Sequence, residues 1–427
     1  MPGPMPSYPL GTLLDFKGAQ PWDVCAAYEK KYGGVTLIWE TGKPVVVVSD
    51  AELIRDVLIT NEQDYYKDDP TLAFRPVLKV TEFNENAEEW RRLRADEPLS
   101  MDGYEQWLAT QESVVQKVVD DHLSRWTAAS GPVDLLPISE RMIYDAFNAC
   151  MVGKQFDDGD YRAFYKTSDM ATKRMQIPSF ILFRPINPVF YAARARHFGI
   201  FEKVVREARQ NPNPNANDML SVFLRKRTDI PDEMIAMYLG NVHAGGVFST
   251  GTALVNTLYF LGKHPEIADK LRESLMQDPN SRYLDQVLHE CLRYYPPVPM
   301  FFRNVIKTKS TQLGKYTLPP DTVVYLSAQG VHHSTRYWTD PERFDPERWN
   351  NGPVSLDAYE ADTFLPFGRG KRICIGATMA MLCMKIMLKS IVTRTQMKMD
   401  PGIKLEQFFH CGVAEPKNVV ASFVARS

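Results

Sequence analysis

Phe-Leu-Pro-Phe-Gly-Arg-Gly-Lys-Arg-Ile-Cys-Ile-Gly, residues 364–376, holds one cysteine, Cys374, between Gly370 and Gly376, with Arg369, Lys371 and Arg372 just upstream. Behind it runs Ala377 to Arg394, apolar on nearly every side, with Lys385 and Lys389 marking one wetter stripe. Such a segment predicts a buried helix, with Cys374 immediately before its first turn. A thiol there feels the helix dipole and nearby cations, and both favour the thiolate. The glycines permit a tight turn and let the backbone approach something flat and bulky. An isolated cysteine is more commonly a buried structural thiol. Local chemistry leaves both readings open.

The other 414 or so positions decide between them, and their composition narrows the field first. Of 427 residues, 44% are apolar and 24% charged, as in an ordinary globular protein with a sizeable core. The net charge of −2 points to neither nucleic acid nor an acidic polymer. The 6 cysteines (25, 150, 291, 374, 383, 411) form no CxxC pair, which argues against zinc ribbons and a disulfide scaffold and fits a reducing compartment. No apolar run is long enough to cross a membrane. The start, Met1 to Gly11, has the wrong pattern for a signal peptide. A cytoplasmic protein is expected if the chain is complete, or one at the endoplasmic-reticulum membrane surface if an anchor has been removed.

Along the chain, residues 1–20 form a proline-rich lead-in. A helix is expected from Trp22 to Tyr32, then strands Val35 to Trp39 and Pro44 to Val48 around the turn Thr41-Gly42-Lys43. Asp50 is placed to cap a helix running through Ile59. Helices are expected over about 86–126, 135–151 and 156–175, and irregular chain from Ile177 to Val189. Pro231 to Lys263 can be one helix of about 50 Å. Arg282 to Tyr294 is a further helix, stopped by Pro296-Pro297. Short strands follow near Met300–Val305 and Thr322–Leu326, then a charged meander from Trp338 to Trp349. With no repeat and no linker, the expected architecture is one mainly α domain, 1–427, with a small β-sheet component.

The order Phe367-x-x-Gly370-x-Arg372-x-Cys374-x-Gly376 resembles, at every fixed position, the cysteine-ligand loop of the cytochrome P450 family. The resemblance implies that Cys374 is the proximal thiolate on haem iron (haem b, iron protoporphyrin IX), where a thiolate favours O–O cleavage. It implies that loop N–H groups bond to the sulfur, that Phe367 packs beside it, that Arg372 pairs with a haem propionate, and that Gly368 and Gly376 belong to the cofactor-binding loop. Glu290-x-x-Arg293 lies on one helical face. It would join Arg348 of the meander in a buried ionic network behind the haem. Trp90-x-x-x-Arg94 resembles the propionate-binding helix, and Arg303 falls where a further propionate ligand is expected. Taken singly, Trp90, Arg94 and Arg303 read as ordinary half-exposed side chains; their order relative to Cys374 sets them apart. The similarity covers at least residues 90–376.

The long helix departs from the pattern. The family has Gly, any residue, an acid, then Thr; the acid and alcohol deliver protons during dioxygen activation. Here Gly245-Gly246-Val247-Phe248-Ser249 aligns with it, placing Phe248 at the acid and Ser249 at the Thr. Gly245 and Gly246 read as room for dioxygen or substrate, or a local bulge, with packing against a neighbouring helix as the alternative. Proton delivery would then use water, Ser249, Thr250, Thr252 or the substrate.

Arg91, Arg92, Arg369 and Lys371 form a basic surface that is either a solvated face or a dock for an acidic electron donor such as a ferredoxin or flavoprotein reductase. No flavin, dinucleotide or phosphate-loop fingerprint is present, so electrons come from a separate protein. Three functions compete. The first is a haem-thiolate monooxygenase acting on a hydrophobic small molecule. The second, prompted by Phe248, uses peroxide or rearranges an oxygenated substrate. The third is a haem sensor or carrier. The expected pocket lining (the 60–85 region, 177–189, the long helix and Val298–Phe302) is aromatic, with Phe74, Phe180, Phe183, Phe248, Phe301 and Phe302. It suggests a lipid, terpenoid, steroid or aromatic metabolite.

Overall fold

A computed structural model describes residues 1–7, 10–40, 42–67, 87–176, 188–354 and 361–426. The chain is mainly helical with small sheets, as expected. It divides into two compact units, Met1–Pro70 with Asp285–Cys374, and Thr71–Leu284 with Ile375–Ser427.

The first unit is organised on a five-stranded sheet. Its order is Val35–Glu40, Lys43–Val48, Val323–Ser327, Met300–Val305, Tyr65–Tyr66. The β-branched run Val45 to Val48 pairs in parallel with Val323 to Leu326, and the remaining pairings are antiparallel. That run is buried on both faces, because Val46 and Val48 enter one apolar cluster and Val45 and Val47 another. The first hairpin closes at Glu40 and Lys43; Thr41 lies outside the described residues. Asp50 accepts hydrogen bonds from the Glu52 and Leu53 N–H groups and caps Ala51–Arg55. The turn that follows, Asp56–Thr60, is a π-helix rather than the expected α-helix.

The second unit is built round the helix Asp232–Lys263, 32 residues long. Its neighbours are the helices Leu135–Val152, Pro188–Gln210 and Ala377–Arg394, and the strand Val413–Lys417. Glycines set these approaches: a Cβ on Gly240 would strike Phe198, one on Gly246 would strike Phe147, and one on Gly251 would meet Glu140 Cγ at 3.0 Å. Ala377–Arg394 is buried apart from the stripe carrying Lys385 and Lys389, as its sequence indicates.

The C-terminal strands are additional to the sequence reading. Thr395–Met399 and Val420–Ala425 pair antiparallel, with Val133–Asp134 on the other side, and Glu406–His410 forms a hairpin with Val413–Lys417. Among the described residues no helix is long and apolar enough to cross a membrane.

Candidate active site

The cysteine loop is held by its own backbone. Gly368 N–H donates to Leu365 O at 3.1 Å, Ile373 N–H to Gly370 O at 3.0 Å and Cys374 N–H to Phe367 O at 2.9 Å. Gly368 and Gly370 both sit at φ +73°, where a side chain is strained. At Gly370 a Cβ would also lie 2.5 Å from Leu58 O. Gly376, at φ −85°, has no such need; its carbonyl starts the helix Ala377–Arg394 by accepting from Ala380 N–H. Cys374 is exposed, whereas Cys25, Cys150, Cys291 and Cys383 are buried and Cys411 is half-buried. The buried structural reading therefore describes those other thiols and not Cys374.

The loop is anchored from behind. Glu290 and Arg293 are both fully buried, and their two N–H···O contacts are 2.9 Å each. Glu290 also accepts from Arg348 Nε at 2.9 Å and Trp349 Nε1 at 3.1 Å. This is the three-membered network expected from sequence, and not a surface ion pair. Arg293 donates onward to His332 O at 2.8 Å. The His332 ring bonds to Arg293 O through Nδ1 at 3.0 Å, and its Nε2 accepts from Leu365 N–H at 2.8 Å. His332 thus ties the network to the base of the cysteine loop. The pair His332-His333 gave no sequence signal of this.

Arg303, on the strand Met300–Val305, is buried, and it donates to Phe302 O at 2.8 Å. Among the described residues no carboxylate forms an ion pair with it. Burial first, then repulsion from Arg372, push its guanidinium down to about 9, with Glu62 offsetting part. A buried guanidinium with a second, half-buried one near it favours an anion there. A dicarboxylate such as haem fits that donor set. By contrast, Lys371 pairs with Glu62 at 2.7 Å and Arg369 with Asp362 at 3.0 Å, so these two members of the expected basic docking surface are neutralised locally.

In the second unit, Trp90 is buried and Arg94 half-buried, one turn apart on the helix Ala87–Asp96. Leu93 packs that helix on Met237 and Tyr238, and Tyr238 donates to Leu93 O at 3.1 Å. Arg91 and Arg92 are exposed.

The long helix runs as continuous α-helix through Gly245 and Gly246, without the expected bulge. Val242, Gly245, Gly246 and Ser249 keep exposure at helical spacing, while Val247, Phe248 and everything from Thr250 to Leu258 is buried. Gly245 is exposed. Gly246 is partly claimed by Phe147, so the packing alternative holds for it.

Phe248 is fully buried, stacked on Phe164 at 4.9 Å between centroids, with His410 at 4.8 Å edge-on. It belongs to an aromatic core and not to a pocket lining. Ser249 Oγ donates to Gly245 O at 2.8 Å. Thr250 Oγ1 is buried with no hydrogen-bond partner among the described residues. Phe301 packs into the apolar core of the first unit, and Phe302 lies under Lys67 at 5.9 Å. Phe74, Phe180 and Phe183 lie outside the described residues.

A family model described as Cytochrome P450 matches residues 1–420. The chain is 27% identical over 440 residues to Cytochrome P450 3A2 of Rattus norvegicus, spanning 92% of this chain and 84% of that protein. To cyclooctat-9-en-7-ol 5-monooxygenase of Streptomyces melanosporofaciens it is 30% identical over 257 residues, 56% of this chain and 55% of the relative. To 2-methylbutanal oxime monooxygenase of Manihot esculenta it is 25% identical over 450 residues, 95% and 86%.

Proposed function

The chain belongs to the cytochrome P450 family, and on that premise we propose a haem-thiolate monooxygenase that places one oxygen atom of dioxygen into a hydrophobic small molecule. The family brings the enzyme class and the haem, and relatives along the chain are named as monooxygenases. The substrate class and a separate electron-donor protein are part of the proposal, as is the treatment of 1–427 as one functional domain.

When bound, the haem supplies dioxygen activation, which an axial thiolate favours. In this reading Cys374 is the iron ligand, and the loop's N–H groups and Phe367 hold its sulfur in place. Gly368 lets the loop turn at positive φ, and Gly376 opens the helix that follows the cysteine. Arg372 and Arg303, with Arg94 and Trp90, bind the two carboxylates and so orient the ring. Gly245 keeps one face of the long helix open, and Ser249, with Thr250 beside it, carries protons by hydroxyl rotation. Phe248 and Gly246 support this face by packing.

The observation that carries the reading is the exposed Cys374 thiol on a glycine-shaped loop, with the buried Arg303 guanidinium, repelled by Arg372, in the same unit. Turnover of an apolar metabolite panel by the haem-loaded protein, given dioxygen and a surrogate ferredoxin with its reductase, should exceed turnover with hydrogen peroxide. The burial of Phe248 where a carboxylate is usual favours one second reading, a peroxide-using or rearranging enzyme. Product with peroxide alone, and none with dioxygen and electrons, would select that one.

A further inference from the structure

We propose that Glu140, Glu415 and His410 form a buried proton store behind the long helix, and that Thr252 passes its protons round the helix to Ser249. The store takes over the part of the carboxylate that Phe248 displaces. The proposal rests on the monooxygenase reading above.

The three groups come from three segments. Glu140 lies on the helix Leu135–Val152, and His410 and Glu415 lie on the two strands of the hairpin Glu406–His410/Val413–Lys417. Glu415 Oε1 is 2.6 Å from His410 Nδ1. Glu140 and Glu415 are in hydrogen-bond contact. Their exposures are 1%, 0% and 3% for Glu140, Glu415 and His410. They do not converge as metal ligands.

A contact between two carboxyls is a hydrogen bond only if one carries a proton, and two adjacent buried carboxylates cannot both be charged. Burial holds Glu140 well above the carboxyl range, with repulsion from Glu415 and Asp134 adding to it. Burial likewise pushes Glu415 up to about 9 and His410 down to about 4. The cluster therefore keeps its carboxyl protons at neutral pH.

A network that served packing alone would satisfy its own atoms. This one does not. His410 Nε2 and Thr252 Oγ1 are both buried with no hydrogen-bond partner among the described residues.

The cluster meets the helix at two points, Phe248 against His410 and Gly251 against Glu140. Thr252 is four residues beyond Phe248 and three beyond Ser249, so it neighbours both on the helix surface. It is the hydroxyl that links the buried face to the exposed strip. The outer end is Tyr165, 38% exposed, whose ring lies 5.6 Å from His410. The other charged or titratable neighbours of the cluster are Asp134, Tyr161, the Asp169–Lys173 pair and Cys411. The helix itself contributes none between Phe248 and Thr252.

In one cycle a proton leaves the carboxyl pair for Thr252 and then Ser249, and another enters from solvent past Tyr165 through His410. The cluster is neither oxidised nor reduced. Electrons come from the donor protein and dioxygen is the acceptor.

The test uses haem-loaded protein without substrate, given electrons by a ferredoxin and its reductase in air with superoxide scavenged back to dioxygen, because reduction of dioxygen to hydrogen peroxide or water consumes protons whatever the substrate. Glu140→Gln and Thr252→Val should each slow dioxygen consumption about tenfold or more and alter the solvent deuterium isotope effect, while Thr252→Ser keeps both near wild type. Infrared spectra should show protonated carboxyl bands at pH 7 that weaken in Glu140→Gln and Glu415→Gln. Unchanged consumption and isotope effect in both Glu140→Gln and Thr252→Val overturn the relay. If Glu140→Gln does not fold, Thr252→Val alone decides. If the wild type lacks a thiolate-type haem spectrum, the monooxygenase reading fails and the relay with it. A normal spectrum with unaltered variants fails the relay only.

Discussion

The ring of Phe248 meets the imidazole of His410 edge-on, at 4.8 Å between centroids and 82° between planes. The position that resembles the family's acid is therefore occupied by a core residue. Replacing it with a carboxylate should not restore proton delivery. Phe248→Asp removes an aromatic from between Phe164 and His410 and buries a charge, and should cost about 3–5 kcal/mol or more. Chemical denaturation measures the loss. A variant as stable as wild type, with faster dioxygen consumption, would contradict this placement.

Arg303 offers a test in which two signs oppose each other. Its guanidinium is buried near Arg372 with no carboxylate paired to it among the described residues. Arg303→Met should raise the melting temperature of haem-free protein, because an uncompensated charge is removed. The same change should lower haem retention on dilution. Both are read by thermal scans and haem absorbance. A fall in the haem-free melting temperature would show that Arg303 serves the fold instead.

Glu290 joins Arg293, Arg348 and Trp349. Glu290→Ala leaves Arg293 charged and fully buried, so a loss of about 3–5 kcal/mol is expected. Pulse proteolysis or urea unfolding reports it. A loss below about 1 kcal/mol would place the network among surface ion pairs.

The Glu140–Glu415 cluster predicts a pH dependence of stability with a definite sign. Glu415 binds its proton far more tightly when folded, with its pKa pushed up to about 9 by burial. In unfolded chain a glutamate releases its proton near pH 4.3. Between these limits the folded state holds more protons, so its stability is full below about pH 4.3 and declines as pH rises through about 9. Glu415→Gln should flatten that decline. An equally steep slope in the variant would remove Glu415 as its cause.

Much of this structure was legible locally. The helices Arg282–Tyr294 and Ala377–Arg394 and the Asp50 cap follow from periodicity and stop signals, with the bounds that the sequence suggests. The Glu290–Arg293–Arg348 network was legible too, through the resemblance of its motifs. The strands after Thr395 were not, because they are short and carry Glu, Lys and Pro416, which blur the period-two signal. At Gly246 the sequence leaves open space and helix packing as alternatives, and the contact there is Phe147, a partner that no local pattern names. Glu140, His410 and Glu415 were missed for the same reason, since only the packing of a hairpin on two helices brings them together.

Carbon monoxide binding tests Cys374 as the iron ligand. The reduced, haem-loaded protein should show with carbon monoxide the red-shifted absorption band of a thiolate-ligated haem. Cys374→Ala should lose that band, while Cys374→His should keep haem but show the unshifted band. Survival of the red-shifted band in Cys374→Ala would exclude Cys374 as the ligand.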